Sequence, residues 1–161
     1  MTDRELNIAL RETARAKGLC DEWYSEWKDE DSIDMCLERY VKGFDFVSKN
    51  DWPSPAFFEE HLRKSDLHRH HIYVNESVDL KAVSGYYIFL GRCRGVLSID
   101  GPLAVTVYLR HDSKISIVAH DGARVFVGHY DDSQTYCKSD SYSKIMKYDH
   151  QSFIHHERRE K

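Results

Sequence analysis

The sequence predicts an α+β protein, with an N-terminal helical segment packed on a C-terminal repetitive β domain that forms a short β-solenoid-like stack. Three observations carry this. Five ten-residue units, Gly101–Arg110, His111–His120, Asp121–Tyr130, Asp131–Asp140 and Ser141–His150, follow one another without a gap. Their fifth and seventh places read Val105/Val107, Ile115/Ile117, Val125/Val127, Thr135/Cys137 and Ile145/Lys147, a period of two inside each unit. Ahead of residue 67 the apolar residues recur instead at three- and four-residue steps, the spacing of a helix face. The expected organisation is therefore residues 1–66 helical, 67–154 a repetitive β domain with its units at 101–150, and 155–161 a polar tail.

In chain order, Thr2 and Glu5 form a capping box ahead of Leu6, Leu10 and Ala14, and Gly18 stops that helix. Leu19, Cys20, Trp23, Tyr24 and Trp27 give a short, apolar second helix. Asp31 or Ser32 caps a third, whose buried face would run from Ile33 through Cys36, Leu37, Tyr40 and Phe44 to Val47, with Gly43 marking a bend. Asn50–Pro53 is a turn, and Ser54-Pro55 places a cap and a first-turn proline before Phe57, Phe58 and Leu62. The aromatic stripe of this segment could line a pocket, but aromatics bury the most area in small bundles and it is read as core. From Ile72 the period changes to two. Strands are expected at Ile72/Val74, Val78/Leu80, Tyr86–Leu90 and Val96–Ile99, less regular than the five units that follow.

Ten extended residues span about 33 Å, too little to circle a packed core, so each unit is one strand and one corner. Either two or three units make a solenoid coil, or each corner is the hairpin of an antiparallel meander or roll. Repeated Asx-rich corners at His111-Asp112-Ser113, His120-Asp121-Gly122, Asp131-Asp132-Ser133 and His150-Gln151-Ser152 favour the solenoid, with Asp side chains accepting from N–H groups two residues on. In a twenty-residue coil Lys114 lies beside Gln134, and Arg124 beside Lys144. Fading inward apolarity at Thr135/Cys137 and Ile145/Lys147 places the end of the stack there.

Composition narrows the function. The 161 residues are 41% hydrophobic and 31% charged, as in a folded protein. Residues 1–66 carry 10 basic against 16 acidic side chains and the rest 13 against 11, which argues against nucleic-acid binding by bulk charge. No apolar run approaches a membrane span. Cys20, Cys36, Cys93 and Cys137 form no Cys-x-x-Cys pair and are read as buried free thiols of a reducing compartment, which makes the chain cytoplasmic.

No nucleophile motif, phosphate loop or zinc-helix motif is present, so no catalytic residue and no cofactor is assigned. His68, His70 and His71 are the densest metal-capable set, but His70 and His71 would diverge on a strand and nothing completes a ligand spacing. They stay the candidates for a metal, and none is assigned. Binding candidates come from the outward fourth and sixth places of the units: Lys114, Arg124 and Lys144 with Phe126, Tyr136 and Met146.

The combination Leu19-Cys20-x-x-Trp23, Tyr40, Gly43 and Pro53, followed by Val107–Ser113 and Ala119–Ala123, resembles small proteins of Bacteroidota and their prophages with a helical head and short β-repeats. That resemblance implies a phage or mobile-element context and carries no functional residue over. The sequence therefore predicts a non-enzymatic interaction or assembly module, with a protein partner or another copy of itself. The alternative is binding of an anionic metabolite or nucleotide by Lys114, Arg124 and Lys144.

Overall fold

The computed structural model describes residues 1–150, and of His150 the backbone alone. The chain divides into two compact units, Met1–His70 and a second beginning at His71. Both the last corner expected at His150-Gln151-Ser152 and the tail at 155–161 reach beyond the described residues.

The first unit holds α1 (Asp3–Ala16), α2 (Asp21–Glu26), α3 (Ile33–Lys42), α4 (Phe44–Lys49), α5 (Pro55–His61) and α6 (Lys64–Arg69). The α1 capping box is complete: Thr2 Oγ1 accepts from the Glu5 N–H at 3.1 Å, and Glu5 Oε2 accepts from the Thr2 N–H at 2.9 Å. The Ser32 and Ser54 hydroxyls accept from the Met35 and Phe57 N–H groups and so cap α3 and α5, without the reciprocal half of the box. The long third helix expected from the sequence is divided at Gly43. A Cβ there would lie 3.1 Å from the Arg39 carbonyl and 3.2 Å from the Trp23 ring, so glycine lets the two short helices meet there without crowding either. The sequence reading names no helix at α6, a charged turn whose one large apolar residue is Leu67. Leu6, Leu10, Leu37, Phe44, Phe58 and Leu67 are buried, and the Tyr40 ring meets Phe44 and Phe58 edge-on at 5.9 and 5.3 Å.

Asn7 sits on the apolar face of α1, fully buried. Its amide donates to the carbonyls of Lys28 and Asp29 at 2.8 and 2.9 Å, and its Oδ1 accepts from Trp27 Nε1 at 2.6 Å and from the Cys36 thiol at 2.9 Å. All the hydrogen-bonding capacity a buried amide must satisfy is used, and it ties α1 to α3 and the loop before it.

The second unit is a two-sided parallel β-solenoid. Strands β1 (Ile72–Val74), β3 (Gly85–Leu90), β5 (Ala104–Leu109), β7 (Arg124–Tyr130) and β9 (Lys144–His150) form one sheet. The other comprises β2 (Ser77–Lys81), β4 (Arg94–Asp100), β6 (Lys114–His120) and β8 (Gln134–Ser139). Every neighbouring pair is parallel, which disposes of the meander. A coil is two units, so Val105 faces Val125 and Ile117 faces Cys137. The first coils are shorter: Ile72 faces Ile88 and Ser77 faces Arg94, which is why the early strands look irregular against a period of ten. Gly95 lies where β4 passes Val78 so closely that a Cβ would stand 1.9 Å from its carbonyl oxygen. Its φ of 140° is also outside the range of other residues.

Inward rows from both sheets, among them Phe89, Leu97, Val107, Ile117 and Val127, fill the interior with fully buried side chains. The corners repeat one backbone form, with His111, Asp121 and Asp131 left-handed at φ 59°, 61° and 59°. Small third-place residues close them: Ser113 and Ala123 are wholly buried. The corner hydrogen bonds differ from expectation. Asp140 does accept from the N–H two residues on, Tyr142, at 3.1 Å. Asp131 instead accepts from the His111 N–H of the preceding coil at 3.0 Å, Asp140 from Asp121 at 2.9 Å, and His111 Nδ1 from Gly91 at 3.0 Å. Left-handed corners present their N–H groups along the stack, so the partners lie one coil away rather than in the same turn. The hydrogen bond from Asp121 is the main reason the Asp140 carboxyl is held below the usual range.

Candidate binding site

The twenty-residue coil divides the sequence-predicted binding residues between two faces. Lys114 and Tyr136 stand on the four-stranded sheet; Arg124, Phe126, Lys144 and Met146 stand on the five-stranded one. The three cations expected to share an anion are thus not one cluster. Lys114 is flanked in register by Arg94 and Gln134, and Arg124 lies beside Lys144. The Arg124 guanidinium is engaged in its corner, donating to the carbonyls of Gly122, Ala123 and Tyr142 at 3.3, 3.2 and 3.0 Å.

On the outer face of the five-stranded sheet, register aligns Tyr86, Thr106, Phe126 and Met146 in one row. Residues two further along give Tyr108 and Tyr148. The rings then meet diagonally across strands: Tyr86 with Tyr108 at 6.1 Å, Tyr108 with Tyr130 at 6.2 Å, and Phe126 stacked on Tyr148 at 4.7 Å. Tyr86 is 46% exposed, Phe126 40% and Tyr148 46%. The rings thus form two groups on one outer face, Tyr86–Tyr108–Tyr130 and Phe126–Tyr148, and exposed aromatic area of this kind is what protein interfaces are enriched in. Sequence reasoning found Phe126 and Met146 but missed the tyrosines, because Tyr86 precedes the regular units and Tyr108, Tyr130 and Tyr148 occupy the eighth or last place of theirs.

The C-terminal end of the stack is built differently. Among the described residues no strand follows β8 or β9 in its sheet. Cys137 and Ser139, on the inward row, are exposed there, and Lys147 reaches across from β9 to donate to the Thr135 carbonyl at 3.1 Å. An inward-pointing charge on a last strand is a device that discourages further strands from pairing. Two cysteines consequently depart from the expectation of burial. Cys137 is exposed because, among the described residues, no strand follows β8 to cover its row, and Cys20 because it is the N-cap of α2 rather than part of a helix face. Cys36 and Cys93 are buried, and burial pushes the Cys36 thiol up to about 11.

The candidate histidines are separated by role. His70 Nε2 is 2.8 Å from Asp34 Oδ1 within the helical unit, and its bond with that from Arg69 holds the Asp34 carboxyl low. His71 stacks on Tyr87 at 4.3 Å in the β unit. Among the described residues no group of three or more His, Cys, Asp or Glu side chains is arranged to hold a metal.

The helical unit contains an apolar cavity of about 270 Å³. Trp23, Trp27, Tyr40, Phe46 and Trp52 contribute to its wall, so the aromatic stripe read as core is core on one side and cavity lining on the other. Arg39, which the sequence analysis does not single out, is also in the wall. Comparisons with protein-family models, with curated proteins and with solved structures find no match for this chain.

Proposed function

We propose that the protein is a non-enzymatic interaction module whose contact surface is the outer aromatic face of the five-stranded sheet. The observation that supports this is the exposed Phe126–Tyr148 stack, continuous in register with Met146 and Tyr86. Parallel solenoids hold such rows at fixed spacing, which lowers the ordering cost of binding. The phage or mobile-element context implied by the resemblance of the 19–53 and 107–123 segments suits a scaffold of this kind. No described helix is long and apolar enough to cross a membrane, and four free cysteines fit a cytoplasmic setting.

The test compares the wild type with a Phe126→Ser/Tyr148→Ser double variant. Pull-downs from the native host are run beside sedimentation at high protein concentration. The proposal expects a partner, or a self-associated species, that the wild type retains and the variant loses. Identical retention and identical sedimentation of the two would refute it.

A further inference from the structure

We propose that the last coil of the solenoid carries a modification site, in which Cys137 is a nucleophile toward low-molecular-weight disulfides and Thr135 and His129 draw off its proton. Cys137 is exposed, whereas Thr135 and His129 behind it are only 8% and 9% exposed. The three side chains stand on the inward rows of β8 and β7 and form a chain. Cys137 Sγ lies 3.6 Å from Thr135 Oγ1, which lies 2.8 Å from His129 Nε2. The direction of that chain follows from Ser133. Its hydroxyl donates to the carbonyls of Tyr130 and Leu109, at 2.7 and 3.1 Å. Its single proton is thereby committed, and toward His129 Nδ1 at 3.4 Å it can only accept. Nδ1 then carries the ring proton, and Nε2 is the acceptor. The Thr135 hydroxyl donates to Nε2, and the Cys137 thiol donates to Thr135.

A thiol, a hydroxyl and a basic nitrogen in that order are what withdrawal of a proton from sulfur requires. Asp149 holds the place beside His129 in register, where its carboxylate would stabilise the imidazolium that forms. Solvation at the end of a stack accounts for the exposed Lys147 and Asp149. It does not account for a buried histidine and threonine aligned behind a thiol. Position sets the substrate class. Cys137 lies on an inward row, between sheets packed about 10 Å apart, where a small disulfide enters and one held in a folded protein does not. Exchange with such a disulfide asks for little more than a thiolate, access to the sulfur–sulfur bond and a proton for the leaving group. The Cys137 proton passes to Thr135 Oγ1 as the Thr135 proton passes to His129 Nε2. The thiolate attacks one sulfur of the disulfide, and the new bond to Cys137 forms as the old sulfur–sulfur bond breaks. The expelled thiolate takes the proton back from His129 by way of Thr135. One thiol is consumed and one released, with one disulfide on each side.

Full-length protein is incubated with glutathione disulfide at neutral pH, in native buffer and in urea. Mass spectrometry of the peptides follows the mixed disulfide at each cysteine. The initial rate at Cys137 in the native protein is expected to be at least about tenfold that of the same residue in the unfolded chain. Thr135→Val keeps the side-chain shape and removes the relaying hydroxyl. His129→Gln keeps an acceptor for Thr135 but takes up no proton. Each is expected to lower the native rate at Cys137 to the unfolded value or below, while the exposed Cys20 reacts as in the wild type. Thr135→Ser restores the hydroxyl with poorer packing and is expected to keep most of the rate, which a purely structural role for Thr135 would not give. Four results would each overturn the proposal: a native rate no faster than the unfolded one, a wild-type rate in Thr135→Val, a wild-type rate in His129→Gln, or a Thr135→Ser rate as low as that of Thr135→Val. Should a variant fail to fold, the comparison of native with unfolded wild type decides.

Discussion

One column through the β unit, Leu97–Ile117–Cys137, offers three depths of the same inward row. Ile117 is fully buried, with a strand on either side and the opposite sheet across from it. Replacing it by Ala removes three carbon groups. At about 0.8 kcal/mol each the transfer loss is about 2.4 kcal/mol. The two sheets are held at fixed spacing by neighbouring coils, so the hole closes poorly and a cavity cost adds to this. We expect about 3–4 kcal/mol in all, inside the 2–5 range of such changes. For a unit of this size that lowers the melting temperature by about 15–25 °C. Cys137→Ala, in the same row but exposed at the end of the stack, should cost less than about 0.5 kcal/mol. Urea titration followed by far-ultraviolet circular dichroism measures both, and an unchanged slope would show that only the native packing was altered. Equal costs at the two positions would refute the reading that β8 is the last strand of the row among the described residues.

Further outcomes follow from other residues. Gly95→Ala should reduce the soluble folded yield or melt far below the wild type, because its Cβ would collide with the Val78 backbone; a melt within a few degrees of wild type would contradict the close approach. Asp131→Ala removes the acceptor of both the His111 N–H and the nearly buried Arg110 guanidinium, and should cost about 1–3 kcal/mol by urea titration. Its exposed neighbour Asp132 should tolerate the same change. Thiol labelling at neutral pH should modify Cys20 and Cys137 quickly, and Cys36 and Cys93 only on unfolding, as mass spectrometry of the labelled peptides would show. For acid stability the direction is fixed by the carboxylates. Burial opposes the charge of Asp66, but hydrogen bonds from Arg63 and Arg69 outweigh it and hold its carboxyl low. Arg94 does the same for Asp112. Groups with depressed folded values contribute stability that is complete above the ordinary 3.8 and is lost as pH falls through the folded values below it. The melting temperature should therefore hold from neutrality to about pH 5 and drop below about pH 4, less steeply in Asp66→Asn.

What could be read from the residues depended on whether a local pattern decided it. Inward rows at the fifth and seventh places were legible because burial on one face forces alternation; the repeated corners favoured parallel stacking over a meander without deciding it, and most of their hydrogen bonds run to the neighbouring coil instead of within the turn. The split of α3 and α4 was half-legible: Gly43 signalled a bend, but the Trp23 ring packed close to it comes from another helix. Assignment of each strand to a face was not legible, since successive units alternate between sheets and only the closed coil shows it. That alternation is why Lys114 and Tyr136 parted from Arg124, Phe126, Lys144 and Met146. The cavity was hidden for a similar reason. A stripe of tryptophans reads the same whether it meets other side chains or leaves a gap between them. Arg39 gave no local signal, because its partner, Asp31, sits eight residues earlier in a loop.

The two-unit coil gives the chain a parity. Removing or duplicating twenty residues within the regular units returns every later strand to its own sheet, and the outer face keeps its rows. Removing ten sends each downstream strand to the opposite sheet. The inward alternation survives such a change, so the shortened stack still folds, but Phe126 and Tyr148 would land on the face that now carries Tyr136. Length can therefore vary in steps of a whole coil at no cost to surface identity, while a half-coil step preserves the fold and exchanges the two surfaces. For this architecture, evolution and engineering can decouple stability from recognition by a single change of register.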